Sequence, residues 1–332
     1  MGSRRSIRLP RTIRFYRRRG FFLRIFVVLA FAGLAAPVAA QTERTTTPSS
    51  ERHRTIVVGR VSDDPKKHFS RLEKMATYLA QQLGDLGIDT GKVVLARNAN
   101  SMTRLLREGK VDFISETPFS AIQFIEEGGA ELLLREWKKG VAAYRTVFYS
   151  RKEDGVTSLA DLRGKKVAFE DPGSTTAFLV PLAMLRLEGL DAVELSSIRD
   201  EPPADKVGYA FARSELNMAL WVTRGIADAG AFSNLDWDDF SRTPNKPKQA
   251  LRIFQSSKPI MRSVLLVRGG LQPEVKARIK EILLNMHTVP EGKDILNAYD
   301  KVKKYDEIEG EAAASLAHVR RMVAAVRDEL NR

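Results

Sequence analysis

The sequence predicts an α/β protein of two lobes joined by extended crossovers, and three observations carry that expectation. Short apolar runs alternate with amphipathic segments of helical period, the pattern of layered α/β units around a largely parallel sheet. The alternation comes in two blocks, separated by residues 144–151 (Tyr144 to Arg151), a long extended run. Ahead of the first block lies a stretch with the composition of an export leader.

The leader sets the compartment. Residues 1–40 hold nine arginines and no acid, followed by an apolar core at residues 25–36 that is too short to span a bilayer. Val38-Ala39-Ala40 offers small residues for cleavage before Gln41. Arg18-Arg19-Gly20-Phe21-Phe22 resembles a twin-arginine signal, with a basic Sec signal as the alternative and an uncleaved anchor as the third option. The formal charge of +13 falls to +4 without this segment, so no Lys/Arg stripe argues for nucleic acid. The chain has no cysteine, hence no disulfide, no thiolate nucleophile and no lipid-anchored cysteine. A soluble protein of a Gram-negative periplasm is expected. The division expected is residues 1–40 as signal peptide, 41–54 as disordered leader, 55–150 with 257–332 as the first lobe, and 151–256 as the second.

In the first block, residues 55–61 read as a buried strand. Residues 68–83 follow as a helix whose apolar positions are Leu72, Met75, Ala76, Leu79 and Leu83. A strand at 92–96, a helix at 101–107 stopped by Gly109, and a strand at 111–115 come next. A short helix at 119–126 and a strand at 131–135 complete the block.

In the second block, a strand at 165–169 ends at Asp171-Pro172-Gly173, which cannot continue it. Strands are expected at 193–198 and 227–232, a helix at 214–223, an acidic turn at 236–239 and a loop at 243–248. Extended segments at 251–256 and 263–267 follow, the first a candidate to carry the chain back. The tail reads as helices at 272–287, 290–298 and 313–330, the last packed on the first lobe. No internal repeat is visible.

The chemistry concentrates at Ser174-Thr175-Thr176, which opens a helix with apolar positions Phe178, Leu179, Leu182, Leu185 and Leu187. Hydroxyls and unpaired amides at the positive end of a helix dipole suit an oxyanion. A plain N-cap by Ser174 is the alternative, and one helix end can serve both purposes. His53, His68, His287 and His318 show no ligand spacing, so no metal is expected. No Gly-x-Ser-x-Gly elbow, Walker loop or Gly-x-Gly-x-x-Gly is present, and no cofactor is expected.

Several blocks, in order, resemble the phosphonate/phosphite-type (PhnD-like) periplasmic solute-binding proteins of ABC importers. They are Val111-Asp112-Phe113, Thr117-Pro118-Phe119, Tyr144-Arg145, the run from Ser158 to Lys165, Phe169 to Thr176, and Gly225 to Ala231. The resemblance implies a type II periplasmic-binding-protein fold, two α/β lobes with extended hinge crossovers. It further implies that Ser174, Thr175 and Thr176 hold phosphonate or phosphite oxygens, that Phe119 and Thr117 face the cleft, and that Asp228 ends a second-lobe strand. Tyr144 joins this set as a crossover residue, with packing as its alternative role. Glu215 stands where many members have a histidine that binds the anion, and Glu116 where smaller or neutral residues are common. Glu116, Glu215 and Asp228 would bring three carboxylates to one cleft, which makes chemical sense for an ammonium-bearing zwitterion. Otherwise Glu116 and Glu215 point to solvent.

The function expected is capture of a small oxyanion, or such a zwitterion, by a monomer that delivers it to an inner-membrane permease. A ligand sensor docking a membrane receptor is the alternative. A periplasmic enzyme using Glu116 and Glu215 as acid and base is a third reading.

Overall fold

The computed structural model describes residues 54–330 except Asp63 and Asp154. The expected signal peptide and nearly all of the leader lie outside the described residues.

The first block folds as β1 (Thr55–Val61), α1 (Pro65–Gln82), β2 (Thr90–Ala96), α2 (Ala99–Arg107), β3 (Phe113–Glu116), α3 (Pro118–Gly128) and β4 (Ala130–Glu136). The periodicity read for α1 is a true buried face: Leu72, Met75, Ala76, Leu79 and Leu83 are all buried. The chain crosses over through β5 (Ala143–Tyr144) and enters β6 (Thr146–Arg151). It continues as β7 (Lys166–Phe169), a wide turn at Thr175–Leu179, α4 (Val180–Leu187), β8 (Ala192–Glu194), β9 (Val207–Phe211), α5 (Glu215–Thr223), β10 (Ala229–Ser233), α6 (Asn234–Asp238), α7 (Asn245–Ala250) and β11 (Leu251–Ser256). The return passes through β12 (Ile260–Met261) to β13 (Ser263–Arg268), α8 (Pro273–Asn285), α9 (Pro290–Asp300), β14 (Tyr305–Asp306), α10 (Gly310–Ala325) and α11 (Arg327–Leu330).

Among the described residues, the strands form two six-stranded sheets and one two-stranded pair. The first sheet runs β14-β4-β13-β3-β1-β2 and the second β11-β6-β10-β7-β9-β8. β1, β2 and β3 are mutually parallel, as are β7, β8, β9 and β10, with antiparallel partners on the crossover side. The crossovers themselves pair, Ile260 with Tyr144 and Met261 with Ala143. Each sheet carries helices on both faces, so its strands are near-continuous apolar runs.

Several boundaries differ from the sequence reading. β6 belongs to the second sheet, so the crossing falls at Tyr144 and Arg145 rather than after residue 150. Its alternate residues pack on both faces of that sheet, Phe148 on one and Tyr149 on the other. β11 does not carry the chain back; it stays as the edge of the second sheet, hydrogen-bonded to β6. The acidic turn is the short helix α6, started by the Ser233 hydroxyl, which accepts from the Asp236 amide at 3.1 Å. The segment expected as loop at 243–248 enters α7, held on α6 by Lys248 Nζ to the Trp237 carbonyl at 2.7 Å.

The last helix is broken at Val326 and lies against both lobes, not the first alone. Val319, Met322, Val323 and Val326 are buried in a cluster with Phe119 and Ile122 of α3 and with Leu182 and Leu185 of α4. Side chains of this size contribute roughly 2 kcal/mol each when fully buried, enough to fix the helix over the junction. Among the described residues, no helix is long and apolar enough to cross a membrane.

Candidate functional site

The C-terminal ends of the parallel strands of both sheets carry the polar residues of interest, as open α/β sheets arrange their ligand crevices. After β7 the Asp171 carboxylate accepts from the Gly173 amide at 2.9 Å, and the Asp171 carbonyl from the Ser174 amide at 3.0 Å. This turn aims the next residues into the crevice. Ser174 is extended and its hydroxyl accepts from the Ala177 amide at 3.3 Å, so the capping role is real. The turn that follows is wide, with the Leu179 amide reaching back five residues to the Ser174 carbonyl. Wide turns of this kind recur at functional positions. The Thr175 and Thr176 amides precede the first intrahelical bond and take no acceptor among the described residues.

From the first lobe, Thr117 stands at the N-cap of α3, ahead of Pro118. Its hydroxyl makes no cap bond, because it accepts instead from the Thr175 hydroxyl at 3.0 Å. Two helix-type N-termini, one per lobe, thus face each other through a pair of hydroxyls. The Thr176 carbonyl is fixed by the Thr146 hydroxyl at 2.9 Å, and both Thr175 and Thr176 are buried.

Carboxylates surround this point. Glu116, the last residue of β3, accepts from the Thr117 amide at 3.1 Å. Burial pushes its pKa up, while Lys138, the Thr117 amide and Arg60 pull it down. Neither cation is idle: Arg60 and Lys138 both bind Asp300, at 2.6 and 3.1 Å. Behind Glu116, the fully buried Glu136 accepts from Ser115 at 2.6 Å and from Tyr305 at 3.2 Å.

Glu215 begins α5, whose cap is Ser214. It neither points to solvent nor stands free for an ammonium group. It is paired with Arg242, whose Nε also lies 3.3 Å from Asp236 and 3.7 Å from Asp239. Glu170, which sequence reasoning missed, belongs to the same group. Burial raises its pKa to about 7, Glu215 and Asp236 add to the rise, and Ser174 and Arg242 oppose it. A signal was available, since Glu170 directly follows the strand that leads to Ser174.

Two expectations are corrected. Asp228 lies at the N-terminal end of β10, the wrong end for the crevice. Its carboxylate accepts from the Lys166 amide at 2.8 Å and its own amide donates to the Lys166 carbonyl at 2.8 Å. The neighbouring β7 spans four residues, so Asp228 is separated from the Ser174 end by about 13 Å of strand. Phe119 is fully buried in the cluster with Tyr144, Phe178 and Val319, at the junction of the lobes rather than on a crevice wall. Tyr144 is also buried, and desolvation pushes its phenol up to about 12; Arg262 and Thr175 oppose this, whereas Asp236 and Glu116 reinforce it. Its hydroxyl therefore senses charges from both lobes.

The Asp228 arrangement has a twin. In the first lobe the Asp112 carboxylate accepts from the Val57 amide at 2.9 Å, and its amide donates to the Val57 carbonyl at 2.9 Å. Each aspartate follows a left-handed glycine by three residues, Gly109 with φ 65° and Gly225 with φ 72°. Those glycines end α2 and α5, where a side chain would be strained. The repeat not visible in the sequence is this local unit: helix, glycine, aspartate, strand. An open depression of 1110 Å³ lined by Lys92, Lys110, Asp112 and Arg268 lies at that end of the first sheet, away from the hydroxyl pair.

The family model described as "ABC transporter, phosphonate, periplasmic substrate-binding protein" matches residues 60–312. The phosphate-import protein PhnD of Mycolicibacterium smegmatis is 35% identical over 144 residues, 42% of this chain and 43% of that protein. The chain thus spans under half the length of this curated relative. XAC2383 from Xanthomonas citri, solved with chloride, is 32% identical with a TM-score of 0.76, over 83% of this chain and 99% of that one. PhnD1 from Prochlorococcus marinus, solved with methylphosphonate, shares the fold at a TM-score of 0.56 and 18% identity, over 82% of this chain and 99% of that one.

Proposed function

The chain belongs to the phosphonate-binding family of periplasmic substrate-binding proteins of ABC transporters, and from that premise we propose that it captures a small phosphonate- or phosphate-type oxyanion between its lobes. The observation that carries this reading is the Thr117–Thr175 hydroxyl pair, flanked by the open amides of Thr175 and Thr176. Converging N–H and O–H donors at helix termini stabilise an oxyanion without a formal positive charge. The phosphate named for the Mycolicibacterium relative and the methylphosphonate bound to the Prochlorococcus protein are ligands of this class.

A second reading adds an ammonium group to the ligand. It is favoured by Glu170 and Glu116, two half-buried carboxylates near the hydroxyl pair whose cationic neighbours are already bound to other acids. Glu170 replaces Asp228 in this role, and Glu215 acts by holding Arg242.

The ligand leaves unchanged, the closed form meets an inner-membrane permease, and the protein works as a monomer in the periplasm after Sec or twin-arginine export. Calorimetric titration with phosphate, phosphite, methylphosphonate and aminoethylphosphonate tests the proposal. Binding of any oxyanion that is weakened about fivefold in Thr175→Val supports it, and preference for aminoethylphosphonate that is lost in Glu170→Gln supports the second reading. Absence of binding across all four overturns both.

A further inference from the structure

We infer that the C-terminal helix is a third connection between the lobes, and that Arg186 and Glu126 are positioning residues that set how far Thr117 and Thr175 can part. Two arms leave the hydroxyl pair. One is α3, which starts after Thr117 and carries Glu126 near its far end. The other is the wide turn from Thr175 continued by α4, with Arg186 near its far end. Each arm is about 15 Å long.

The far ends are tied to one element. Glu126 receives Arg320 at 3.2 Å and Arg327 at 2.8 Å. Arg186 donates to the Ala325 carbonyl at 2.9 Å and grips Asp328 with both terminal nitrogens, at 2.5 and 3.0 Å; Glu329 lies 3.3 Å away. Apolar contacts bridge the lobes as well. Ala312 packs with the first-lobe residues Ile114, Phe124 and Val264, while the Val319–Val326 segment shares one cluster with Phe119 and Ile122 of the first lobe and Leu182 and Leu185 of the second. The paired strands β5 and β12 cross between the lobes beside this helix, and Tyr144 and Ile260 join its cluster.

Opening therefore rotates the arms about α10, separating only their crevice ends. The break at Val326 matters to this arrangement, because it turns α11 so that its acids reach Arg186 while Arg327 reaches Glu126. A helix that merely covered the first lobe would leave Arg186 unpartnered on that side. The inference rests on lobe geometry alone and survives a wrong ligand assignment.

The test compares the protein with Arg186→Ala, Arg186→Lys and Glu126→Gln, reading three quantities. These are the ligand-free radius of gyration by X-ray scattering, methylphosphonate affinity by calorimetry, and the melting midpoint. Arg186→Ala is expected to expand the ligand-free form and weaken binding about fivefold, as a smaller closed fraction requires. Arg186→Lys should recover much of both, and Glu126→Gln should act in the same direction if Arg186→Ala fails to fold. An unchanged radius in folded variants overturns the inference, as does a lowered midpoint with radius and affinity intact. If the parent protein ignores methylphosphonate, the ligand reading fails and the radius alone decides this one.

Discussion

The hydroxyl of Thr175 donates to the hydroxyl of Thr117 at 3.0 Å, so each lobe contributes one partner to a single bond at the mouth of two helix-type N-termini. The bond registers closure directly, because parting the lobes must break it. Replacing either residue by valine keeps the shape and removes the bond together with a donor for the ligand. Such bonds contribute about 1 kcal/mol, so Thr175→Val and Thr117→Val should each weaken oxyanion binding roughly fivefold. Calorimetric titration with methylphosphonate checks this, and Thr117→Ser should behave as the parent.

Asp228 should matter to the fold and not to the ligand. Asp228→Ala leaves the Lys166 amide without its acceptor at the start of β7. Loss of a partly buried backbone bond of this kind costs about 1–3 kcal/mol. Urea unfolding should show that loss, with oxyanion affinity within about twofold of the parent. A large affinity change with normal stability would contradict the placement of this residue.

Glu170 should give the fold a distinctive pH dependence. Its carboxyl titrates near 7 in the folded protein and near the usual carboxylate range when unfolded, with burial the main cause. Between those values the folded state holds more protons, so its contribution is full at low pH and is lost as pH rises towards 7 and above. Parent and Glu170→Gln should therefore diverge from pH 5 to pH 8, the variant gaining relative stability by about 2 kcal/mol at most once solvent screening is allowed for. Melting midpoints in a pH series give the comparison.

Arg242 holds Glu215, Asp236 and Asp239 together, and removing it should harm more than removing one acid. Arg242→Ala leaves Glu215 and Asp236 close to each other without compensation. A loss of about 2–3 kcal/mol is expected, together with weaker binding of a plain oxyanion. Glu215→Gln in the same background should restore part of the stability, a double-mutant cycle that isolates the pair.

Most of the architecture was legible because it follows from local periodicity. The α1 face from Leu72 to Leu83, the break at Asp171-Pro172-Gly173 and the Ser174 cap all depend on residues close in sequence. What was not legible depends on pairings across the chain. Glu215 and Arg242 are 27 residues apart, and only the fold shows that the acid is neutralised. The lobe boundary was missed at β6, since an extended run looks the same in a crossover and in a sheet. Asp228 is different: as the second residue of the strand read at 227–232 it already stood near the N-terminal end, so the sequence itself argued against a crevice role. The same logic applied to Asp112 would have exposed the repeated unit.

That repeated unit has a consequence for how this protein can change. Asp112 and Asp228 lock the strand starts, whereas Thr117, Glu170, Thr175 and Glu215 occupy the strand ends or the turns just beyond them. Selectivity and foldability are therefore written at opposite poles of each lobe. A library confined to the crevice pole should drift through ligand preferences while most members still express as folded protein.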